Sequence, residues 1–455
     1  MRARKFSTHH LAFKICAVLL LTTFFVLCLR SPAQSNQPSK GAEKQDPVAQ
    51  SASRNIEDLN LVGADIHMPP FSDTVLGADS AYRLAFYSKG FVLRSNATLL
   101  YEQNSLALPV PVAQQVYMGD REFGMLMANP ILTYDMRAFH LHDAQLNFAA
   151  GLNWVSWYRA GPSAITMSSL YLYQAFANGH VEAKLGYVSN DFEFVGLQVG
   201  GALSTGSQGV YAILPYEVGL SHFPLPTPSF NLKLAGPVDF YFKGAVQRST
   251  DAGGGSATNG RNATGFRFMP KGDKLVDIYE AGYNHAATTD SHETWLRAGY
   301  IHNTTPFPNS RTGGQTSGNF CAYILADHQW LMSDRAHPNR GVYSGISAMG
   351  ASTDLNAYTR YYEFRLYDEG PFKSRPGDTA SIVASYSDYS RYMVANLVAQ
   401  GQSAWRNSST LTGSYNLHAT RGVYLGAGLS YVAGPDISPR VANALTFSVV
   451  STLFF

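Results

Sequence analysis

Hydrophobic and polar residues alternate with a period of two along most of the chain after residue 91. In the clearest run, 143–154, one face carries Ala144, Leu146, Phe148, Ala150, Leu152 and Trp154, and the other Asp143, Gln145, Asn147 and Asn153. The runs 238–248 and 410–418 repeat this pattern. Successive side chains of a β-strand point to opposite faces, so the pattern predicts strands with one apolar and one polar face.

The chain contains sixteen such segments by our count. We place strands near 91–102, 125–136, 143–153, 168–176, 180–189, 228–236, 238–248, 274–287, 293–303, 319–332, 341–352, 357–367, 379–390, 405–418, 421–433 and 442–455. Short and long connections alternate between them, except that 353–356 is short and 368–378 long. We assign Phe266–Phe268 to a loop; fourteen or eighteen strands are the alternatives.

An even number of strands of about ten residues, joined by alternating short and long connections, is typical of an outer-membrane barrel. Closure is required because an unpaired strand edge finds no hydrogen-bond partner in hydrocarbon. We therefore predict an all-β protein, a transmembrane antiparallel β-barrel of sixteen strands over 91–455, with short periplasmic turns and long outer loops. A barrel of this size holds a water-filled lumen.

The residues before the barrel divide into three parts. The apolar run Ile15–Leu29 follows basic residues and precedes the small-residue site Ser31-Pro32-Ala33, which predicts a signal peptide over 1–33. An uncleaved signal anchor is the alternative. Residues 34–78 form a predicted flexible N-terminal segment whose first part is polar, and 79–90 a short periplasmic helix that ends at Gly90.

The composition argues against a nucleic-acid-binding protein or a disulfide-stabilised one. Charged residues are 15% of the chain, against about 25% in typical soluble domains. Loss of residues 1–33 removes five Lys/Arg and no acid, so the formal net charge of +2 becomes −3. Cys321 alone would remain of the three cysteines, which excludes an internal disulfide.

The sequence contains no motif of a known catalytic or metal site. His-Glu-x-x-His, Gly-x-Ser-x-Gly, a phosphate-binding loop and paired cysteines are all missing from the sequence. We therefore predict that the protein is not an enzyme and uses no cofactor or metal.

The last strand carries a separate signal. Phe455, Leu453, Val449, Phe447 and Leu445 alternate with smaller or more polar residues. An amphipathic last strand that ends in an aromatic residue resembles the signal read by the bacterial outer-membrane assembly machinery, which is a predicted partner.

The polar faces of the strands predict the lining of the pore. The residues assigned to it are Arg94, Glu102, Gln145, Asn147, Tyr171, Tyr173, Glu182, Lys184, Asp239, Tyr241, Lys243, Tyr361, Glu363 and Arg365. An ion-selective pore is expected to carry rings of one charge sign, whereas this set mixes both signs with tyrosine and amide groups. The mixture favours neutral, hydroxyl-rich solutes, although any water-filled lumen is polar.

The connection 190–227 is the longest and is rich in apolar residues, among them Phe192, Phe194, Ile213 and Leu214. A long apolar loop rarely lacks a packing partner. We predict that it folds into the barrel and narrows the pore; contact with a neighbouring subunit is the alternative.

Several stretches resemble the OprB-type carbohydrate-selective porin family of bacterial outer membranes. They are Ser168–Gln174, Val181–Phe194, Val238–Val246, Tyr323–Leu331, Gly341–Gly350, Leu366–Thr379 and the last strands. The N-terminal pattern of the family is kept at Arg83 and Leu84, without its tryptophan. The resemblance implies a sixteen-stranded barrel that passes sugars passively into the periplasm of a Gram-negative-type bacterium.

The predicted function is therefore a porin for carbohydrate-selective diffusion, with sugars and outer-membrane lipid as partners. The alternatives are a general or hydrophobic-solute channel, an outer-membrane enzyme and a non-conducting structural barrel. The sugar, the pore diameter and the choice between monomer and homotrimer do not follow from the sequence.

Overall fold

The computed structural model describes residues 56–57, 68–106, 120–156, 165–195 and 213–455. The predicted signal peptide and most of the predicted N-terminal segment lie outside these residues. The described chain is dominated by eighteen β-strands, which are β1 (Phe91–Asn104), β2 (Phe123–Asp135), β3 (Ala144–Val155), β4 (Ile165–Phe176), β5 (Val181–Val188), β6 (Thr227–Ala235), β7 (Phe240–Arg248), β8 (Leu275–His285), β9 (Thr294–Asn303), β10 (Phe307–Pro308), β11 (Gln315–Thr316), β12 (Asn319–Met332), β13 (Gly341–Ala351), β14 (Tyr358–Glu369), β15 (Thr379–Tyr389), β16 (Asn407–Thr420), β17 (Val423–Ala433) and β18 (Ala444–Phe454).

Sixteen of these strands form one closed antiparallel barrel, and β10 and β11 form a separate two-stranded hairpin within the 304–318 connection. Each barrel strand pairs with its neighbour in the chain, and β1 closes the ring against β18 from Asn96↔Phe454 to Asn104↔Thr446. Closure leaves no strand edge unpaired, as a hydrocarbon environment demands. The predicted fold class and the count of sixteen strands are confirmed.

The connections define two ends of the barrel, which we call the turn end and the loop end. The turn between β16 and β17 is the tightest, and Gly422 there has a φ of 67°. The β4–β5 turn uses Ala177, Asn178 and Gly179, all at positive φ. The 370–378 connection lies at the turn end although it is long, and 352–357 lies at the loop end although it is short. The two exceptions to the alternation of short and long connections are therefore present in the structure.

Four short α-helices accompany the barrel in the described part of the chain. Helix α1 (Ala81–Tyr87) precedes β1, α2 (Ile213–Glu217) belongs to the β5–β6 loop, α3 (Gly255–Arg261) to the β7–β8 loop and α4 (Arg391–Ala399) to the β15–β16 loop. No helix within the described ranges is long and apolar enough to span a membrane.

The outer face of the barrel is apolar, and large side chains stand exposed on it. Phe148 on β3, Phe230 on β6 and Ile324 on β12 have exposed fractions of 40%, 48% and 59%. Each is flanked along its strand by a buried or half-buried residue that faces inward. In water such a surface would be unfavourable, and a lipid environment accounts for it.

Candidate functional site in the barrel lumen

The predicted lining residues lie on the inner face of the barrel, with one exception. Cross-strand pairing places Asn147 opposite Tyr171 and Tyr173 opposite Lys184 on that face. The residues of the predicted set that are buried there are Arg94, Glu102, Gln145, Asn147, Tyr171, Tyr173, Lys184, Lys243, Tyr361, Glu363 and Arg365. Glu182 and Tyr241 are half-buried on the same face.

Asp239 is the exception, and its assignment to the lining was wrong. Strand β7 begins at Phe240, and Asp239 lies in the β6–β7 turn with a φ of 65°. Its carboxylate is 2.7 Å from Nδ1 of His285 and 45% exposed. The left-handed backbone of this tight turn interrupts the alternation that the sequence pattern continued through Val238 and Asp239.

The described parts of the β5–β6 loop, 189–195 and 213–226, fold into the barrel. Phe194, Val195 and Leu214 belong to one buried apolar cluster together with inward residues of β7 to β15, among them Ile278 and Tyr361. The predicted inward position of this loop is confirmed for these residues. A loop in this position narrows the lumen.

Polar contacts attach both ends of this loop to the inner wall. On one side Lys184 donates from Nζ to Oε1 of Glu193 at 2.5 Å, and Lys243 donates to the backbone carbonyl of Glu193 at 2.9 Å. On the other side Asn303 donates from Nδ2 to the carbonyl of Val218 at 2.6 Å. The loop is therefore held by the wall residues themselves.

Burial shifts the titration of three groups in this loop. It raises the pKa of Asp191 to about 7 and that of Glu217 to about 8, although backbone N–H groups that bond to each carboxyl act in the opposite direction. Burial lowers the pKa of His222 to about 4. We call the loop docked when it is packed against the inner wall in this way. At neutral pH the docked loop therefore carries less charge than its sequence suggests.

A second group of charges is centred on Arg365 of β14. Its guanidinium bonds to both oxygens of Asp327, at 2.8 and 2.6 Å, and to Oε1 of Glu363 at 2.8 Å. The Tyr361 hydroxyl also donates to Glu363. The side chains of Arg365 and Glu363 are fully buried, and the three charged groups satisfy one another.

Aromatic rings lie along the same wall near the turn end. The rings of Tyr343 and Tyr367 are stacked, with centroids 5.0 Å apart and planes 10° from parallel. Tyr343 donates its hydroxyl to the carbonyl of Asn339 at 2.7 Å, which fixes the ring. Flat rings with fixed hydroxyls offer stacking faces and hydrogen-bonding edges to a passing solute.

Arg94 is on the inner face, but the N-terminal segment covers it. Its Nη1 donates to the carbonyl of Pro69 at 2.9 Å, and its guanidinium lies 3.8 Å from the ring centroid of Phe71. On β17, the next strand but one around the barrel, the hydroxyl of Tyr424 donates to Asp73 at 2.6 Å. Residues 69–75, which we call the strap, therefore connect β1 to β17 at the turn end.

Sequence reasoning missed several inner-wall residues that carry charge or aromatic surface: Glu280, Trp295, Arg297, Tyr323 and Asp327. They lie on β8, β9 and β12, inside the predicted strands. On β8 the inward residues Val276 and Ile278 are apolar because the loop packs on them. An apolar side chain on this strand therefore does not show that the residue faces the outside of the barrel. The pairing register of β7 with β8, which places Lys243 opposite Glu280, is needed to assign Glu280 to the inner face.

This geometry defines a class of protein. A closed sixteen-stranded barrel with an apolar exterior, a polar interior and one loop folded inward is an outer-membrane porin. Over residues 136–455 the sequence matches the carbohydrate-selective porin, OprB family. The chain belongs to this family, and the expectation from the sequence is confirmed.

Solved structures agree with this assignment at the level of the fold. The high-pH structure of Pseudomonas putida OprB superposes with a TM-score of 0.70 at 14% identity, covering 84% of this chain and 98% of that one. The low-pH structure of the same protein gives 0.53 at 12% identity, with coverage of 84% and 99%. No curated protein sequence matches the chain.

Proposed function

We propose that the protein lets sugars diffuse passively across the outer membrane of a Gram-negative-type bacterium. The turn end faces the periplasm and the loop end faces outward, as in barrels of this class. The β5–β6 loop sets the narrowest part of the pore. The family to which the chain belongs supports a carbohydrate as the solute, and a channel rather than an enzyme.

The observation that carries this proposal is the pairing of charges on the inner wall. Lys184 bonds to Glu193, and Lys233 lies 2.9 Å from Glu182. Arg365 is matched by two carboxylates. Because both signs of charge are interspersed on this wall, no ring of one sign selects strongly for cations or anions, whereas the tyrosines beside them suit hydroxyl-rich rings.

The residues proposed to contact the solute are those of the predicted lining that remain on the inner wall and outside the strap: Glu102, Gln145, Asn147, Tyr171, Tyr173, Glu182, Lys184, Tyr241, Lys243, Tyr361, Glu363 and Arg365. We add Tyr343 and Tyr367, because their stacked rings lie on the same face. We further propose that the assembly machinery recognises β18 with Phe455. The assembled porin is a monomer or a homotrimer.

Swelling of proteoliposomes tests the proposal. Vesicles that contain the refolded chain are transferred to isotonic glucose, to maltose or to an uncharged amino acid of similar mass to glucose. Entry of the sugars clearly faster than that of the amino acid supports a carbohydrate-selective channel. Equal rates would indicate a general porin, and no swelling would indicate a barrel that does not conduct.

A further inference from the structure

The inner wall between β7 and β12 contains a carboxylate whose two oxygens are both engaged by tyrosines. Glu280 accepts from the hydroxyl of Tyr241 at 2.9 Å on Oε1 and from the hydroxyl of Tyr323 at 2.8 Å on Oε2. Lys243 Nζ lies 3.8 Å from the same carboxylate. Both oxygens of Glu280 are therefore occupied by hydrogen-bond donors.

Glycines on the neighbouring strands hold these tyrosine rings against the wall. A Cβ on Gly282 would overlap the Tyr241 ring, and one on Gly299 would overlap the Tyr323 ring. The rings occupy the space where side chains would otherwise stand. They form a rigid, flat surface beside Glu280.

Arg297 lies next to this surface and lacks the bonds that its charge requires. The residue is 3% exposed, and its Nε, Nη1 and Nη2 have no hydrogen-bond partner among the residues that the structure describes. Its guanidinium lies 3.6 Å from the ring centroid of Trp295. Arg365, equally buried in the same wall, has two carboxylate partners.

A buried guanidinium without partners is unfavourable, because its donors have lost water and gained nothing in exchange. Such groups in native proteins call for an explanation, of which a ligand is one. A planar guanidinium pairs best with a carboxylate, to which it donates two parallel bonds. A neutral hydroxyl would satisfy the donors but leave the charge without a counter-charge.

Trp295 lies against this guanidinium. The indole is half-buried and its Nε1 donates one bond, to the Tyr241 hydroxyl at 3.0 Å. Rotation of the ring away from Tyr241 would uncover Arg297 and turn an aromatic face toward the lumen. Aromatic faces stack on the apolar faces of sugar rings, so guanidinium and indole together match a sugar that carries an acid group.

We propose that Arg297, Trp295 and Tyr241 form a binding site for acidic sugars, in which the guanidinium takes the carboxylate and the rings stack on the sugar. The site rests on the proposed function and extends its solutes from neutral sugars to uronic and aldonic acids. The neighbouring Lys243 and Glu280 carry opposite charges 3.8 Å apart, so Arg297 is the cation that attracts the acid group.

Block of single channels in planar bilayers tests the site, with galacturonate, galactose and acetate as probes. We expect galacturonate to block the unmodified chain at about tenfold lower concentration than galactose, and acetate to block weakly. The R297Q variant is expected to lose the preference for galacturonate while galactose still blocks it. R297K keeps the charge without the paired donors, so it is expected to retain only part of the preference.

The matched control is R360Q, which removes an arginine from the outer face, where Arg360 is 63% exposed; it is expected to retain the full preference. Heat-dependent migration of each variant in SDS gels checks that the barrel has formed. Undiminished preference in both R297Q and R297K would overturn the site. Acetate as effective as galacturonate would overturn the sugar component, and a channel that no sugar blocks would overturn the proposed function itself.

Discussion

Glu217 in the inward loop accepts a hydrogen bond of 2.9 Å from the backbone N–H of Tyr358, a residue 141 positions further along the chain. The bond joins the end of α2 to the start of β14. Because burial raises the pKa of Glu217 to about 8, this contact depends on pH.

Docking of the loop is expected to weaken as the pH rises. In the undocked loop Glu217 would titrate near its ordinary value of about 4.3, so between there and about 8 the docked state binds more protons and loses stability with rising pH. Asp191 acts in the same direction up to about 7. His222, with its pKa lowered to about 4, acts in the opposite direction, but only below about 6.5.

Single-channel conductance measured from pH 6.5 to 9 checks this prediction. Conductance is expected to increase with pH as the loop leaves the lumen, and E217Q is expected to flatten most of the increase. D290N, which changes an exposed carboxyl in the β8–β9 turn, serves as the control. A steep increase that persists in E217Q would contradict the prediction.

Replacement of Arg365 by methionine should destabilise the barrel strongly. The change leaves Asp327 and Glu363 buried without their cation, and breaking a buried pair in this way costs about 3–5 kcal/mol. Urea unfolding of the refolded protein in lipid measures the effect. R360Q, at an exposed site, is expected to change the free energy of unfolding by less than about 0.5 kcal/mol, and a similar loss in both variants would refute the role given to Arg365.

The Gly299→Ala substitution should move Tyr323 away from the wall. The new Cβ would overlap the tyrosine ring, so the ring turns into the lumen and loses its bond to Glu280. Overpacking of this kind costs about 1–3 kcal/mol, and conductance is expected to decrease. Gly350, around which a Cβ would meet no atom within 4 Å, provides the control G350A; unchanged conductance in G299A would contradict the packing described.

The strap should detach when Asp73 is replaced by alanine. Asp73 is 3.0 Å from Nε2 of His418 and accepts bonds from the backbone N–H of Gly422 at 3.1 Å and from the Tyr424 hydroxyl. Hydrogen bonds to a charged group contribute about 1.5–3 kcal/mol each. Amide hydrogen exchange is expected to speed up in residues 71–75 of D73A and to stay slow in D79A, because Asp79 is exposed.

The alternation of side chains was sufficient to predict the fold. In strands such as β3, one face meets lipid and the other meets water, so Phe148 and Asn147 alternate without ambiguity. The prediction of an inward loop followed from its apolar residues, which need a packing surface that a water-exposed loop does not have.

The same reasoning could not identify the complete lining. Where the loop packs on the wall, inward residues such as Val276 and Ile278 are apolar, so β8 carries apolar residues on both faces and the pattern does not show that Glu280 faces inward. Arg365 was assigned to the lining correctly, but its partner Asp327 lies two strands away in the barrel. Such a pair depends on register, which one sequence does not specify.

Conductance of the refolded chain in planar bilayers, recorded as maltose, glucose or an uncharged non-sugar osmolyte is added, tests the central claim most directly. A carbohydrate-selective porin is expected to conduct steadily and to be blocked by the two sugars with saturation, while the osmolyte only lowers the current in proportion to viscosity. Conductance that all three solutes affect alike, or the absence of any conductance, would contradict the account.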